Sequence, residues 1–265
     1  MKIDCHTHGK LAKKSPFSAA YTNWLFREAS KAGLDAICLT EHFNTLGFDE
    51  VYYYLEKNFE MIGDTFQVGS LRVFPGMEID IAEGGHILAI GNTADILALN
   101  LALTPYKEKG HFISFKSLLE LAENYALILG AAHAFRPGSY IPTLPLEDLK
   151  KMDFVDLNGK DVATKPIETP EEIIEFAKLL DLPVLAGSDT HQATQYGCIY
   201  NTLKQACSTV EELKEEIQKN THHITTSPTI SFQVETAGMV KRALKKIHAL
   251  GGDYVKVLTG ETDEI

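Results

Sequence analysis

The chain lacks the features of a secreted, membrane-spanning or thiol-dependent protein. No apolar run in its 265 residues approaches the roughly 18 residues of a transmembrane helix. Its N-terminus leads directly into a strand pattern, without the basic and apolar segments of a signal peptide. Four cysteines are present, in no zinc-ribbon or redox spacing: Cys5, Cys38, Cys198 and Cys207. We therefore expect reduced core thiols in a cytoplasmic protein without membrane association.

An excess of basic charge is also missing, because the net charge is −11 at pH 7. Such a surface repels nucleic acid and anionic lipid, so we expect no strong nucleic-acid binding. An anionic substrate would need local cations, and divalent metal ions can be the largest charges in a site. The chain also has no glycine-rich phosphate loop, no Gly-x-Ser-x-Gly motif and no Cys–His nucleophile arrangement.

The remaining composition is that of an ordinary globular protein, with 45% hydrophobic and 23% charged residues. Strand-like and helix-like segments alternate, which predicts an α/β fold with a parallel sheet and crossover helices. Residues 48–62 are one of the predicted helices. The seven predicted strands are residues 2–5, 36–39, 72–75, 86–90, 127–132, 154–157 and 183–186. No linker divides the chain, and α/β barrels commonly reach this length as a single domain.

Two short histidine motifs bracket most of the chain, His6-Thr7-His8 and Ser188-Asp189-Thr190-His191. One residue separates the potential ligands of each motif, so on an extended strand both side chains point the same way. Imidazole and carboxylate together suit Zn²⁺, Mn²⁺ or Fe²⁺. Further candidate ligands lie at strand ends between the brackets, apart from one histidine that opens the fourth strand: His42, Glu78, His86 and His133. The pattern indicates a polynuclear metal site.

This set of motifs resembles the PHP (polymerase and histidinol phosphatase) family. The matching segments are His6-Thr7-His8, Thr40-Glu41-His42, Pro75-Gly76-Met77-Glu78, His86-Ile87-Leu88, His133-Ala134 and Gly187-Ser188-Asp189-Thr190-His191. They cover residues 1 to about 200 in the family's order. The resemblance implies a distorted (β/α)7 TIM-like barrel in a single domain over residues 1–265, with residues 201–265 completing the barrel and adding a helix. It also implies hydrolysis of phosphoesters with two or three divalent metal ions, Zn, Mn or Fe.

The resemblance implies a ligand set for each metal ion. The first ion would be held by His6, His8, Glu78 and Asp189. The second would share Glu78 and add His86 and His133, and the third would use His42 and His191. Two departures from the family pattern stand near these ligands. Lys13, Lys14 and Ser15 occupy the region where members with a complete third site have another histidine, and Glu41 replaces an aspartate beside His42, where we expect it to support a ligand.

The chemistry implied by these residues is attack of a metal-activated water on phosphorus. Glu78 would bridge two ions and Asp189 would hold one of them. Arg136, three residues after His133, would bind the substrate phosphate through parallel hydrogen bonds, although a surface arginine in a loop is the alternative. Lys13, Lys14 and Lys160 are weaker phosphate candidates that we expect to be solvated. Asn158, at the end of the sixth strand, can orient a ligand or form an ordinary turn.

The leading functional hypothesis is a phosphatase or phosphodiesterase acting on a small phosphorylated metabolite or nucleotide. One alternative is a metal-dependent amidohydrolase or deaminase, whose barrel also starts with a His-x-His motif. The other is a metal-stabilised interaction domain without activity. Residues 240–250 predict an amphipathic helix with a basic face, Lys241, Arg242, Lys245 and Lys246. We interpret this face as solvated surface, with a homo-oligomer contact as the alternative.

Overall fold

The structure, a computed structural model, describes residues 1–260. Eleven strands lie in this part of the chain: β1 Lys2–Thr7, β2 Ala36–His42, β3 Glu60–Ile62, β4 Thr65–Val68, β5 Leu71–Asp80, β6 His86–Gly91, β7 Leu127–Ala132, β8 Phe154–Asn158, β9 Val184–Gly187, β10 Ile199–Thr202 and β11 His223–Thr226. The α-helices of the same part are α1 Ala19–Lys31, α2 Phe48–Asn58, α3 Thr93–Ala102, α4 Phe115–Ala122, α5 Leu146–Leu149, α6 Gly159–Thr164, α7 Glu168–Leu180, α8 Val210–Lys219, α9 Ile230–Ala249 and α10 Tyr254–Thr259.

The strands form one barrel-shaped sheet in the order β11-β10-β1-β2-β5-β6-β7-β8-β9. Its two ends nearly meet, because the segment after β9 returns to the end of β1. Thr7 forms a parallel bridge with Thr190, the His8 N–H donates to the Thr190 carbonyl at 2.9 Å, and the Asp189 N–H donates to the His6 carbonyl at 2.8 Å. All seven predicted strands are present. The predicted α/β, TIM-like barrel in a single domain is therefore confirmed.

The prediction of a parallel sheet is wrong at β6, which runs antiparallel to both of its neighbours. Asp80 at the end of β5 pairs with His86 at the start of β6, and His86 pairs with Ala132 at the end of β7. Because β6 is reversed, its first residue lies at the edge where β5 and β7 end. His86 opens its strand and still reaches the same edge of the barrel as the other candidate ligands.

The predicted helix over residues 48–62 ends at Asn58. The chain continues as the hairpin β3–β4, whose tight turn begins at Gly63, and β4 then pairs antiparallel with β5. Gly63 has a φ of 62°, a value that glycine adopts without steric cost and that two-residue hairpin turns favour. Like β3 and β4, the strands β10 and β11 were not predicted. β10 pairs with β1 on the side opposite β2.

Hydrophobic residues fill two connected regions around the sheet. The larger cluster joins helix residues such as Leu25 and Phe26 of α1 to the strands, and a smaller one joins Leu213 of α8 to Phe74 and Phe154. The four cysteines are free and buried, as expected. Within residues 1–260, no helix has both the length and the apolar composition needed to cross a membrane. Residues 261–265, part of the predicted C-terminal completion, lie outside the described residues.

Candidate metal centre

Glu78 is the middle of the site. It stands near the end of β5, is 2% exposed, and its two oxygens face histidines from four other segments. Oε1 lies 2.9 Å from Nε2 of His133, and Oε2 lies 2.7 Å from Nδ1 of His42. Three more imidazole nitrogens lie 3.6 Å from the carboxylate: Nε2 of His6, Nε2 of His8 and Nδ1 of His86. One buried carboxylate therefore contacts five imidazoles.

The eight predicted ligands meet at this edge of the barrel and form three groups, in each of which the potential ligand atoms lie within 4.8 Å of one another. The groups are His6, His8 and Asp189; Glu78, His86 and His133; and His8, His42 and His191. Two of the groups share His8, whereas the sequence placed His8 in a single set. The three groups adjoin one another, as a polynuclear centre requires.

Within residues 1–260, several atoms of this cluster are buried and have no partner in hydrogen-bond geometry, including the His42 Nδ1 and Glu78 Oε2 pair at 2.7 Å. They are Nε2 of His6, both ring nitrogens of His8, Nδ1 of His42, Oε2 of Glu78, Nδ1 of His86 and Nδ1 of His133. A buried polar group without a partner costs about 1–3 kcal/mol, and so many in one place need an explanation. Imidazole nitrogens and carboxylate oxygens are suitable ligands for Zn²⁺, Mn²⁺ and Fe²⁺. The residues present therefore fit a group of divalent metal ions.

Outer residues hold three of these histidines in orientation. Nδ1 of His6 lies 3.2 Å from Oδ2 of Asp156, and Nε2 of His86 lies 2.9 Å from Oδ1 of Asp80. Nδ1 of His191 lies 3.1 Å from the carbonyl oxygen of Lys10. Such contacts fix the tautomer and the ring orientation of metal-binding histidines. In each case the second ring nitrogen is left available to a metal ion.

Sequence reasoning missed both supporting aspartates, although a signal for them exists. Side chains two residues apart on a strand lie on the same face of the sheet. Asp80 is two residues after Glu78 on β5, and Asp156 is two residues before Asn158 on β8. The alternation that directs Glu78 and Asn158 toward the ligand edge therefore directs Asp80 and Asp156 toward it as well.

Glu41 lies beside two of the potential ligands, His42 and His8. Its Oε2 accepts a hydrogen bond from the Gly9 N–H at 3.2 Å, and its Oε1 accepts one from the His42 N–H at 3.1 Å. Oε1 also lies 3.7 Å from Nδ1 of His8. The carboxylate thus ties the segment after β1 to the end of β2, close to His8 as well as to His42.

The other side of the centre is cationic. Arg136 donates from Nε to Asp161 at 2.9 Å, from Nη1 to Asp189 at 3.1 Å and from Nη2 to Asn158 at 2.8 Å. Nζ of Lys160 lies 2.8 Å from the same Oδ2 of Asp189. Lys160 is therefore part of the site, contrary to the expectation of a solvated side chain. Each Nη of Arg136 has two N–H bonds, so each retains one that these contacts do not use.

Electrostatics keep the central carboxylate ionised. Burial raises the pKa of Glu78, but the imidazoles of His42, His86 and His6 outweigh it and hold that pKa well below the usual value. Burial also opposes ionisation of Asp189, whose pKa nevertheless stays well below its usual range. An ionised carboxylate is the form that binds a metal ion.

Burial raises the pKa of a carboxyl group but lowers that of an imidazole, and two of the histidines show this effect. It lowers the pKa of His191 well below the usual value, and the charges of His8 and Lys241 lower it further. It also lowers the pKa of His133, and the Arg136 guanidinium adds to this effect. Both imidazoles are therefore held neutral near pH 7, which leaves their nitrogen lone pairs free to bind a metal ion.

The backbone at the site is strained or crowded in three places. His133 has a φ of 32° and Asp189 a φ of 56°, a region that residues other than glycine rarely adopt and that is common at functional sites. A Cβ atom added to Gly187 would lie 2.3 Å from the Cβ of His6. Gly187 therefore lets β9 approach β1 closely enough to bring Asp189 beside the first histidine motif.

Lysines surround the third group of potential ligands. Lys13, Lys14, Lys241 and Lys245 line a cavity of about 460 Å³ whose wall also includes His42 and His191. The interpretation of the basic face of α9 as solvated surface is thus incomplete. Lys241, which is half-buried, and Lys245, which is exposed, both line this cavity, whereas Arg242 and Lys246 do not.

Comparison with known protein families agrees with this geometry. Residues 4–152 match the PHP domain family, and residues 170–221 match the PHP-associated family. The chain belongs to the PHP domain family. This membership supports a metal-dependent hydrolase, and the resemblance noted in the sequence is confirmed. No curated protein matches the sequence significantly.

Among solved structures, the PHP chain is similar to PsfC from Pseudomonas syringae PB-5123, with a TM-score of 0.75 and 22% identity over 92% of this chain and 98% of that one. It is also similar to the lesion-specific endonuclease PfuEndoQ from Pyrococcus furiosus, with a TM-score of 0.61 and 20% identity over 84% of this chain. An endonuclease Q complex with a 27-mer duplex containing an abasic lesion gives a TM-score of 0.60 and 20% identity over 82% of this chain. The chain spans only 57% and 56% of those two proteins. At these identities the likeness concerns the fold.

Proposed function

We propose that this chain is a metal-dependent phosphoesterase, a phosphatase or phosphodiesterase that acts on a small phosphorylated substrate. The observation that carries the proposal is the position of Glu78, whose buried carboxylate lies within 3.6 Å of five imidazole nitrogens. A carboxylate surrounded by several imidazole ligands is well suited to bridge two metal ions. The proposed cofactors are two or three divalent ions, Zn, Mn or Fe, held by the eight residues of the three groups.

Bound metal ions would supply an activated water and cations that stabilise charge on the phosphoryl oxygens. The side chains around these metal ions would have separate roles. Glu78 and Asp189 contribute the negative charge of the centre, and Asp189 also anchors Arg136 and Lys160 beside it. The unused Nη hydrogens of Arg136 would bind the substrate phosphate, whose charge grows during the reaction. Asp161 and Asn158 hold the guanidinium plane in place.

Phosphoester hydrolysis accounts for this cationic side better than the alternatives do. An amidohydrolase acting on a neutral C–N bond has no need of Arg136 and Lys160 directed at the metal ligands. A domain used only for interaction has no need of buried ligand atoms without partners. The buried thiols favour a cytoplasmic enzyme. Endonuclease Q acts on DNA, but the net charge of −11 disfavours a duplex as the partner here.

The test is a panel of substrates assayed with metal-free protein that has been reconstituted with Mn²⁺, Zn²⁺ or Fe²⁺. The panel contains phosphate monoesters, phosphodiesters, amides and aminated heterocycles, and Glu78→Gln is the matched inactive control. We expect metal-dependent release of phosphate or of an alcohol from at least one phosphoester, together with two or more bound ions per chain by elemental analysis. Hydrolysis confined to C–N substrates would overturn the phosphoesterase proposal, and a stoichiometry of one ion or less would overturn the polynuclear centre.

A further inference from the structure

A basic cavity adjoins the proposed centre and is separate from the one that Arg136 lines. It has a volume of about 460 Å³, and no acidic residue is among the side chains that line it within residues 1–260. His42 and His191 form the wall that it shares with the centre. The segment after β1 contributes Lys13 and Lys14, and α9 contributes Lys241, Lys245 and His248.

Most of these cations have no partner of opposite charge. Nζ of Lys13 lies 2.9 Å from Asp80. In the part of the chain that the structure describes, Lys14, Lys241 and Lys245 form no ion pair. Like charges held together cost free energy unless something balances them. Burial lowers the pKa of Lys241 to about 8 and the neighbouring Lys160 charge adds to the effect, while the carboxylates of Asp189 and Glu41 offset it only in part.

We infer that the cavity formed by Lys14, Lys241 and Lys245 binds a second anionic group of the substrate, separate from the phosphate that is hydrolysed. The inference rests on the proposed phosphoesterase function and narrows its substrate class to small molecules with two anionic groups. One group is held at the metal centre beside Arg136. The other is held by the lysines, in a chain whose net charge is −11 and whose surface elsewhere repels anions.

The size of the cavity favours a small occupant. Small-molecule pockets typically have volumes of about 300–1,000 Å³, and this cavity lies in that range. A nucleic-acid duplex would need a continuous row of cations along an extended surface, whereas these lysines converge from two segments on one partly open cavity. A terminal phosphate, a phosphonate or a carboxylate fits the same donors.

The experiment compares two substrate series on the metal-reconstituted protein, n-alkyl monophosphates and α,ω-alkanediol bisphosphates of three to six carbons. We expect a higher kcat/KM for the bisphosphates, with an optimum at one chain length and a steeper fall with added salt, because exposed charges are screened. In the Lys14→Gln/Lys245→Gln double variant, kcat/KM for bisphosphates should fall about tenfold. The same variant should hydrolyse monophosphates within about twofold of wild type. Lys246→Gln, an exposed lysine of α9 outside the cavity, is the matched control.

The outcomes separate this inference from the proposed function. Equal kcat/KM for the two series, or equal losses in the double variant and the Lys246→Gln control, would overturn the inference and leave the phosphoesterase intact. Hydrolysis of neither series would leave the function to be decided by the wider substrate panel, and calorimetry would then decide the inference alone. If 1,4-butanebisphosphonate binds more tightly than butylphosphonate and the double variant loses this difference, the inference is supported. Equal binding of the two compounds refutes the inference. If the double variant lost only cleavage of single-stranded DNA, a nucleic-acid backbone would be the occupant and the inference would be wrong.

Discussion

Asp156 and His6 form a buried contact across the barrel, with Oδ2 of Asp156 located 3.2 Å from Nδ1 of His6. The same oxygen accepts hydrogen bonds from the His133 N–H at 3.2 Å and from Nδ2 of Asn158 at 3.1 Å. One carboxylate on β8 therefore orients a histidine on β1 and supports the strained backbone that carries a second one. Neither role involves direct contact with a metal ion.

We predict that Asp156→Asn lowers metal affinity by about 10–100-fold, the usual effect of removing an outer partner of a metal-binding histidine. The asparagine oxygen can take the place of Oδ2 and accept the same hydrogen bonds, but the negative charge that fixes the His6 tautomer and raises the basicity of its ring is lost. Competition titration with a chelator measures the affinity. Asp181→Asn, on an exposed aspartate after α7, is the control. An Asp156→Asn protein with wild-type affinity would show that the contact does not position the ligand.

We predict that Glu78→Gln reduces activity more than His42→Ala. Glu78 contacts five imidazoles, so its neutralisation removes the shared negative charge of the whole cluster. His42 belongs to one group alone and is half-buried. Initial rates and metal content of both variants, measured after identical reconstitution, give the comparison. Equal activity in the two variants would refute these roles.

We predict that Arg136→Ala leaves the metal content intact and lowers kcat/KM by about 2–4 kcal/mol of transition-state stabilisation. Lys160 still neutralises Asp189 at 2.8 Å, so the carboxylate keeps its place. Arg136→Lys should restore only part of the rate, because an ammonium lacks the planar fork that binds two phosphate oxygens. A wild-type rate for Arg136→Ala on every phosphoester would mean that the arginine only braces the loop.

We predict that Asp4→Asn stabilises the metal-free protein more at pH 8 than at pH 5. Burial raises the pKa of Asp4 to about 7, from an ordinary value near 3.8 in the unfolded chain. Because the folded state binds the proton more tightly, stability is fully present below pH 4 and is lost as the pH rises toward 7. Oδ1 accepts from the N–H groups of His6 and Ser188, contacts that an asparagine oxygen retains.

Chemical denaturation of the metal-free proteins at several pH values measures this effect. The unfolding free energy of wild type should fall between pH 5 and pH 8, and that of Asp4→Asn should change less over the same range. Parallel curves for the two proteins would show that Asp4 is ionised in the fold at neutral pH.

The sequence was sufficient to predict seven of the eleven strands of residues 1–260 and the edge that carries the candidate ligands, because strand-end histidines are visible in a repeating β/α pattern. It did not predict the direction of β6. Alternation of strands and helices carries no direction, and the informative signal was the short connection, residues 81–85, which is too short for a crossover between parallel strands. The position of Lys241 near the candidate ligands could not be predicted for a different reason. Its place beside His191 depends on how α9 packs, far along the chain from any ligand motif.

Near the metal edge, a seam joins the segment after β9 to the end of β1, where Thr7 bridges Thr190 and two backbone hydrogen bonds cross the gap. Two of the three ligand groups straddle this seam, since His6 and His8 lie on one side and Asp189 and His191 on the other. Metal ions bound there would cross-link the two edges of the sheet. Amide hydrogens of His8 and Asp189 should then exchange slowly in the metal-loaded protein and quickly after chelation, and the cofactor would stabilise the closed barrel as well as serve the reaction.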